Sequence, residues 1–296
     1  MFATLLGPLP RPPLAPGASD LELVEAAVLA QEAAGLEPLT DGVLENGRSP
    51  LDRWLAMAGL TARAAKQDLV GPLTMARGGD ERAVLAAAEA LNADLRALAA
   101  AGCPLIEVHE PAAIEIGSDE AGRRLFREAH RRLLDGVDGP HVSLAIIGGN
   151  ADATGIDTLL SAPYASLAVD LIAGPDNWRL VVATPGDRGI VCGALSPEPD
   201  SDDAPEVLLW AAAYAASTAG RGPARVGLAT AGSLAGLSWE VAVTKMRRLG
   251  GAARLADLPP DELRRSIDPR AVDIRSAALG RAAPGPRSSK GRRPGR

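Results

Sequence analysis

A chain of 296 residues with 47% hydrophobic content can bury one large core, and this length suits a single α/β barrel as well as two ordinary domains. Aromatics make up only 3%, and no apolar run approaches the roughly 20 residues of a membrane helix, which speaks against a membrane-spanning protein. The formal net charge is −6, yet residues 281–296 (RAAPGPRSSKGRRPGR) hold six basic groups and no acid, leaving −12 on the remainder; an acidic body of this kind restricts any nucleic-acid contact to the basic tail.

The opening segment, MFATLLGPLPRPP, lacks the basic start and the long apolar run of a signal peptide, so the expected compartment is the cytoplasm. Its run ATLLG (3–7) reads as a first strand, and LELVEAAVLAQEAAG follows with helical spacing and a closing Gly suited to a helix C-cap. EPLTDG (37–42) is the second expected strand and ends on Asp41; DLVGPLT (68–74) is the third, ahead of the long helical ERAVLAAAEALNADLRALAAAG. PLIEVHE (104–110) is the fourth. Alternate side chains of a strand share a face about 7 Å apart, so Glu107 and His109 point one way while Val108 and Glu110 point the other. Within the helix that follows, His130 lies among basic residues and is expected to be solvated.

HVSLAII (141–147) begins on His141, and the IIGGN after it reads as a turn. SLAVDLI (166–172) carries Asp170, and GIVCGAL (189–195) and ARVGLAT (224–230) complete the set. Cys103 and Cys192 stand 89 positions apart without C-x-x-C spacing and read as small core residues; Trp54, Trp178, Trp210 and Trp239 read as packing residues. Eight strand–helix units without a compositional break predict a (β/α)₈ TIM barrel over residues 1–256, a helical extension over 257–280 and a disordered basic tail over 281–296. Barrel chemistry belongs at the C-terminal ends of the strands, where Asp41, Glu107, His109, Glu110 and Asp170 fall.

Several segments, in order, resemble the catalytic barrel of cobalamin-independent methionine synthase and its shorter single-barrel relatives. They are LLGPLPRP, AQEAAGLEPLTDG, VGPLT, AAAGCPLIEVHEP, an H-x-S in place of the family's H-x-C, and LAVDLIAGPDN. The resemblance spans most of residues 3–255 and implies the barrel fold, a small-molecule substrate and methyl transfer to a thiol held as a thiolate by zinc. It also implies a zinc site of two Cys, one His and one Glu. Carried over, these positions read His141, Ser143, Asp170 and about Gly232, so two of four ligands are missing, below the three protein ligands usual for catalytic zinc. The family's I-G-S becomes Leu6-Gly7-Pro8, the acid expected after D-G becomes Val43, and D-E-P becomes His109-Glu110-Pro111. A group that is neutral or cationic thus replaces the carboxylate that would hold a substrate ammonium. No aromatic follows GPLT to stack on a pterin.

These departures leave several readings. Glu107 can fix the tautomer and raise the basicity of His109, the arrangement a general base needs; alternatively the two side chains merely satisfy each other inside a polar barrel mouth. His109, His141 and Asp170 would form a two-imidazole, one-carboxylate metal set if their strands converge. The loop ATAGSLAGLSWE, with Arg11 and Arg77, could seat an anion. At the level of the whole protein the residues are compatible with a repurposed methyltransferase-type barrel enzyme lacking the zinc–thiolate site. Two other readings are a metal-free lyase or decarboxylase of the barrel superfamily that includes uroporphyrinogen decarboxylase, and a non-catalytic binding protein.

Overall fold

The computed structural model describes residues 1–44 and 47–267. Seven parallel strands form one curled sheet in the order β1-β7-β6-β5-β4-β3-β2: β1 (Phe2–Thr4), β2 (Lys66–Val70), β3 (Leu105–His109), β4 (His141–Ile146), β5 (Ser166–Asp170), β6 (Gly189–Leu195) and β7 (Val226–Thr230). Helices α1 (Asp20–Ala34), α2 (Pro50–Ala58), α3 (Pro72–Met75), α4 (Glu81–Ala100), α5 (Glu120–Leu133), α6 (Ile156–Leu159), α7 (Trp178–Ala183), α8 (Pro205–Ser217) and α9 (Trp239–Ala256) fill the connections. The architecture is that of a TIM-type barrel. A last helix, α10 (Pro260–Ser266), begins the C-terminal extension. The rest of that extension and the basic tail at 281–296 lie outside the described residues.

The helices start where the sequence supplies caps. Ser19 and Glu22 form a reciprocal capping box at α1, while Ser49, Asp80, Asp119 and Ser238 accept backbone N–H groups at α2, α4, α5 and α9. Outward-facing strand residues such as Leu144, Val169, Cys192 and Leu228 pack against the helices in the main core. A second, inner cluster of Leu6, Ala145, Ala168, Val191 and Ala229 fills part of the barrel. Three of these inner residues are alanines, and Gly227 and Gly193 on β7 and β6 add no side chain. At Gly227 an added Cβ would lie 2.3 Å from the Phe2 ring, so the absent side chain is what admits that ring.

The expected second strand, 37–42, is not a strand but two isolated bridges. Glu37 N–H donates to Ala3 O (2.8 Å), Leu39 N–H to Ala64 O (2.9 Å), and Lys66 N–H to Leu39 O (2.8 Å), so the segment still closes the gap between β1 and β2. The ladder fails for two reasons. Pro38 has no N–H to give. At Thr40 the fully buried Gln31 side chain replaces a neighbouring strand, accepting from Thr40 N–H (3.0 Å) and donating to Thr40 O (2.7 Å). The third expected strand is shifted too: β2 begins at Lys66, and Pro72 starts α3 where the sequence suggested continued strand.

Candidate functional site

Parallel pairing sets Lys66 and Asp68 of β2 level with Leu105 and Glu107 of β3, and Val70 level with His109. The result is a charged cluster inside the barrel. Lys66 Nζ lies 2.5 Å from Glu107 Oε1 and 3.5 Å from Asp68 Oδ1, and donates to Leu5 O at 2.7 Å. The same Glu107 oxygen is 2.9 Å from His109 Nε2, which also lies 3.8 Å from Asp68 Oδ1. Lys66, Asp68 and Glu107 are buried, and the His109 side chain is 11% exposed at the C-terminal end of its strand. Among the described residues, neither Asp68 carboxylate oxygen has a hydrogen-bond partner. Asp41, also buried, closes the cluster from the neighbouring segment: its carboxylate is ion-paired with Arg53 Nη2 at 2.6 Å and accepts from Arg53 Nε–H at 2.8 Å and from Val43 N–H at 2.8 Å.

The electrostatics follow from that geometry. Burial opposes charge on His109, but the Asp68 and Glu107 carboxylates outweigh it and raise the imidazole to about 9. His109 is therefore an imidazolium at neutral pH, with Nε2–H directed to Glu107. Burial likewise opposes ionisation of Asp68, yet Lys66, His109 and Arg53 hold its carboxyl below the ordinary value. Asp41 is raised, because burial outweighs its contact with Arg53. Lys66 is held charged despite burial by Asp68 and Glu107.

Asp68, Glu107 and His109 could offer three ligand atoms within 4.8 Å of one another. A metal there would have to displace the Lys66 ammonium from Glu107 and the proton from His109. The cation position is already filled by the chain itself.

Glu110, adjacent to His109, faces the opposite side of the sheet. It is buried and accepts from Leu73 N–H (3.0 Å), Thr74 N–H (2.7 Å) and the Thr74 hydroxyl, which ties the GPLT turn to β3. Gly71 is required for this contact, since an added Cβ would lie 2.3 Å from Glu110 Oε2. His130, expected to be solvated, is fully buried instead. Its Nε2 is 3.3 Å from Glu110, its Nδ1 is 2.5 Å from the Tyr164 hydroxyl, and its ring stacks on Phe126 at 3.9 Å. The basic residues around it in sequence occupy other faces of α5.

His141 and Asp170 are not brought together. His141 begins β4 at the N-terminal end of the barrel, level with Leu105 and so about 13 Å along the sheet from the level of His109. Its Nε2 is 2.8 Å from Ser166 Oγ, and burial lowers its pKa. Asp170 ends β5 at the opposite mouth, where it accepts from the backbone N–H groups of Gly148, Ile172 and Ala173 at 2.8–3.1 Å. At the C-terminal end β4 offers Ala145 and Ile147, and Gly232 offers no side chain although a Cβ there would meet open space. These residues do not fit a zinc centre.

Other singled-out segments have structural partners. Asn177 of GPDN donates to Gly149 O (2.9 Å) and Asp170 O (2.8 Å) and accepts from Ala151 N–H (2.8 Å), latching GPDN to IIGGN. Arg77 pairs with Glu115, and Leu234 of the ATAGSLAGL loop donates its N–H to Pro8 O at 2.9 Å. Lys66 and Asp68 escaped the sequence reading. The signal available for them was the alternation K-x-D-x-V, in step with L-x-E-x-H one strand later.

No protein-family model matches the chain, and no curated protein matches it in sequence. Among solved structures, the chain is similar to a B12-independent methionine synthase from Shewanella sp. W3-18-1 in complex with selenomethionine, with a TM-score of 0.68 and 15% identity, covering 86% of this chain and 97% of that one. It also matches a methyltransferase from Methanosarcina mazei with a TM-score of 0.47 and 17% identity, over 69% of this chain and 63% of that one. At such identities the likeness is one of fold.

Proposed function

We propose that the chain is a repurposed barrel enzyme of the methionine-synthase type of fold, which acts on a small molecule at the C-terminal mouth with His109 as proton donor. The observation that carries this reading is the clamping of His109 between two buried carboxylates at the C-terminal end of β3, with its pKa at about 9 and its side chain 11% exposed. Such an imidazolium is protonated at neutral pH, so it can donate a proton or stabilise developing negative charge but not act as a general base there. The selenomethionine in the methionine synthase neighbour makes a small organic ligand in the barrel a natural expectation. Imidazolium in place of an acid favours a substrate that presents a carboxylate, carbonyl or phosphate oxygen there, instead of an ammonium. Methyl transfer to another acceptor remains compatible with the fold, provided that the acceptor needs no zinc-bound thiolate.

The test is a ¹³C-histidine NMR titration of the wild-type protein, joined to a turnover screen of small oxo- and hydroxy-acids in deuterated buffer. His109 should titrate near pH 9, and product formation or deuterium incorporation should fall at least about 100-fold in His109→Gln, the scale of general-acid loss. A His109 that titrates near its ordinary value, or turnover unaltered by the substitution, would refute the assignment.

A further inference from the structure

We propose that the N-terminal mouth of the barrel is a second small-molecule site, which takes a compact organic carboxylate bearing a polar atom at its far end. This inference stands independently of the role given to His109.

TIM barrels are ordinarily packed solid by layers of inward side chains, and their N-terminal face serves stability. Here that face opens into a cavity of about 490 Å³, within the size range of small-ligand pockets. The cavity has room because Ser143, Ser166 and Gly189, level with one another on three consecutive strands, bring little bulk inward.

The walls have a built polarity. At the inner end Ser143 is 2% exposed and its hydroxyl has no hydrogen-bond partner. Leaving a buried hydroxyl unpaired is destabilising, so a polar atom delivered by an occupant is the missing partner. The other lining hydroxyls are engaged: Thr4 donates to Pro38 O at 2.8 Å, and Ser166 is 2.8 Å from His141. Lys66 and Glu107 form the floor and neutralise each other.

The rim supplies the anion preference. Arg188 and Arg225 flank the opening against a single acid, Asp187, and His141 has its pKa lowered by burial and stays neutral. The entrance therefore carries an excess of one positive charge, while Phe2 and Leu105 add apolar surface to the lining. Arg188 and Arg225 immediately precede the first paired residues of β6 and β7, near the level of Ser143, so the separation runs across the mouth: two strand spacings from β4 to β6 are about 10 Å. A carboxylate at the rim and a hydroxyl or carbonyl across a short apolar spacer match that span.

The experiment titrates 4-hydroxybenzoate, 4-oxopentanoate and 5-hydroxypentanoate into the full chain, with benzoate and pentanoate as controls lacking the distal polar atom, followed by ¹H–¹⁵N NMR. At least one distally polar probe should saturate below about 10 mM and bind about fivefold more tightly than its control, the scale of one hydrogen bond. That advantage should vanish in Ser143→Ala. Binding should weaken in Arg225→Gln, an exposed rim substitution that leaves the fold intact, and disappear in Ser143→Leu, which fills the cavity. His109→Gln, which reaches the floor only through Glu107, should keep the advantage of the distally polar probe over its control. The proposal is overturned if no probe saturates, if the Ser143 and Arg225 variants bind like wild type, or if His109→Gln alone abolishes binding.

Discussion

Lys66 is the residue on which the charged cluster turns. One ammonium answers Glu107, Asp68 and a backbone carbonyl, and through Glu107 it also sets the environment of His109. Two substitutions separate these roles. Lys66→Met leaves the buried Glu107 and Asp68 with His109 as their one adjoining cation and should cost about 3–5 kcal/mol in urea unfolding, as loss of one partner of a buried pair does. Glu107→Gln removes one negative charge and leaves Lys66 with Asp68, so the cost should be smaller; its signature should be a fall of the His109 pKa from about 9 toward the ordinary histidine value, read by NMR. An unchanged titration in Glu107→Gln would show that Asp68 alone sets the imidazole. Glu107 and His109 were visible in the sequence because alternation along one strand places them on one face. Lys66 was not, since the expected strand began two residues too late and inter-strand register cannot be read from either strand separately.

At the scale of elements, seven of the eight strand positions follow directly from short apolar runs between helical segments, while the second shows where pattern reading stops. EPLTDG has the composition of a strand, yet its ladder is interrupted by Pro38 and completed by a glutamine from α1. Nothing local to EPLTDG announces that partner, and Gln31 lies in an otherwise ordinary helical stretch. Gln31→Leu keeps the volume and leaves the Thr40 N–H and C=O buried without partners. It should destabilise by about 2–4 kcal/mol, the sum of two unmet backbone groups, and should shift Asp41 with it. Urea unfolding measures the cost; a loss below about 1 kcal/mol would show that water or neighbouring backbone replaces the amide. Asn177 does similar work at the C-terminal mouth, where GPDN and IIGGN look like unrelated turns until one side chain joins them.

Across the whole molecule, the buried ionisable groups give the barrel a particular dependence on pH. His109 has its pKa raised by folding, so its contribution is fully present below about 6.5 and is lost as pH rises through about 9. Asp68 is lowered, so its contribution is present above the unfolded carboxyl value and is lost as pH falls through the lower folded one. Asp41, raised by burial, loses stability as pH rises through the acid range, so it opposes Asp68 there and pulls the most stable region toward acid. Stability should therefore be greatest between about pH 5 and 6.5 and decline into the alkaline range, although the described chain is acidic. The decisive quantity is the difference between wild type and His109→Gln, which cancels titrations common to both. It should shrink by about 1–3 kcal/mol between pH 6 and pH 10 in chemical unfolding, and a difference that stays level across that range would mean that the imidazole is not held charged by its two carboxylates.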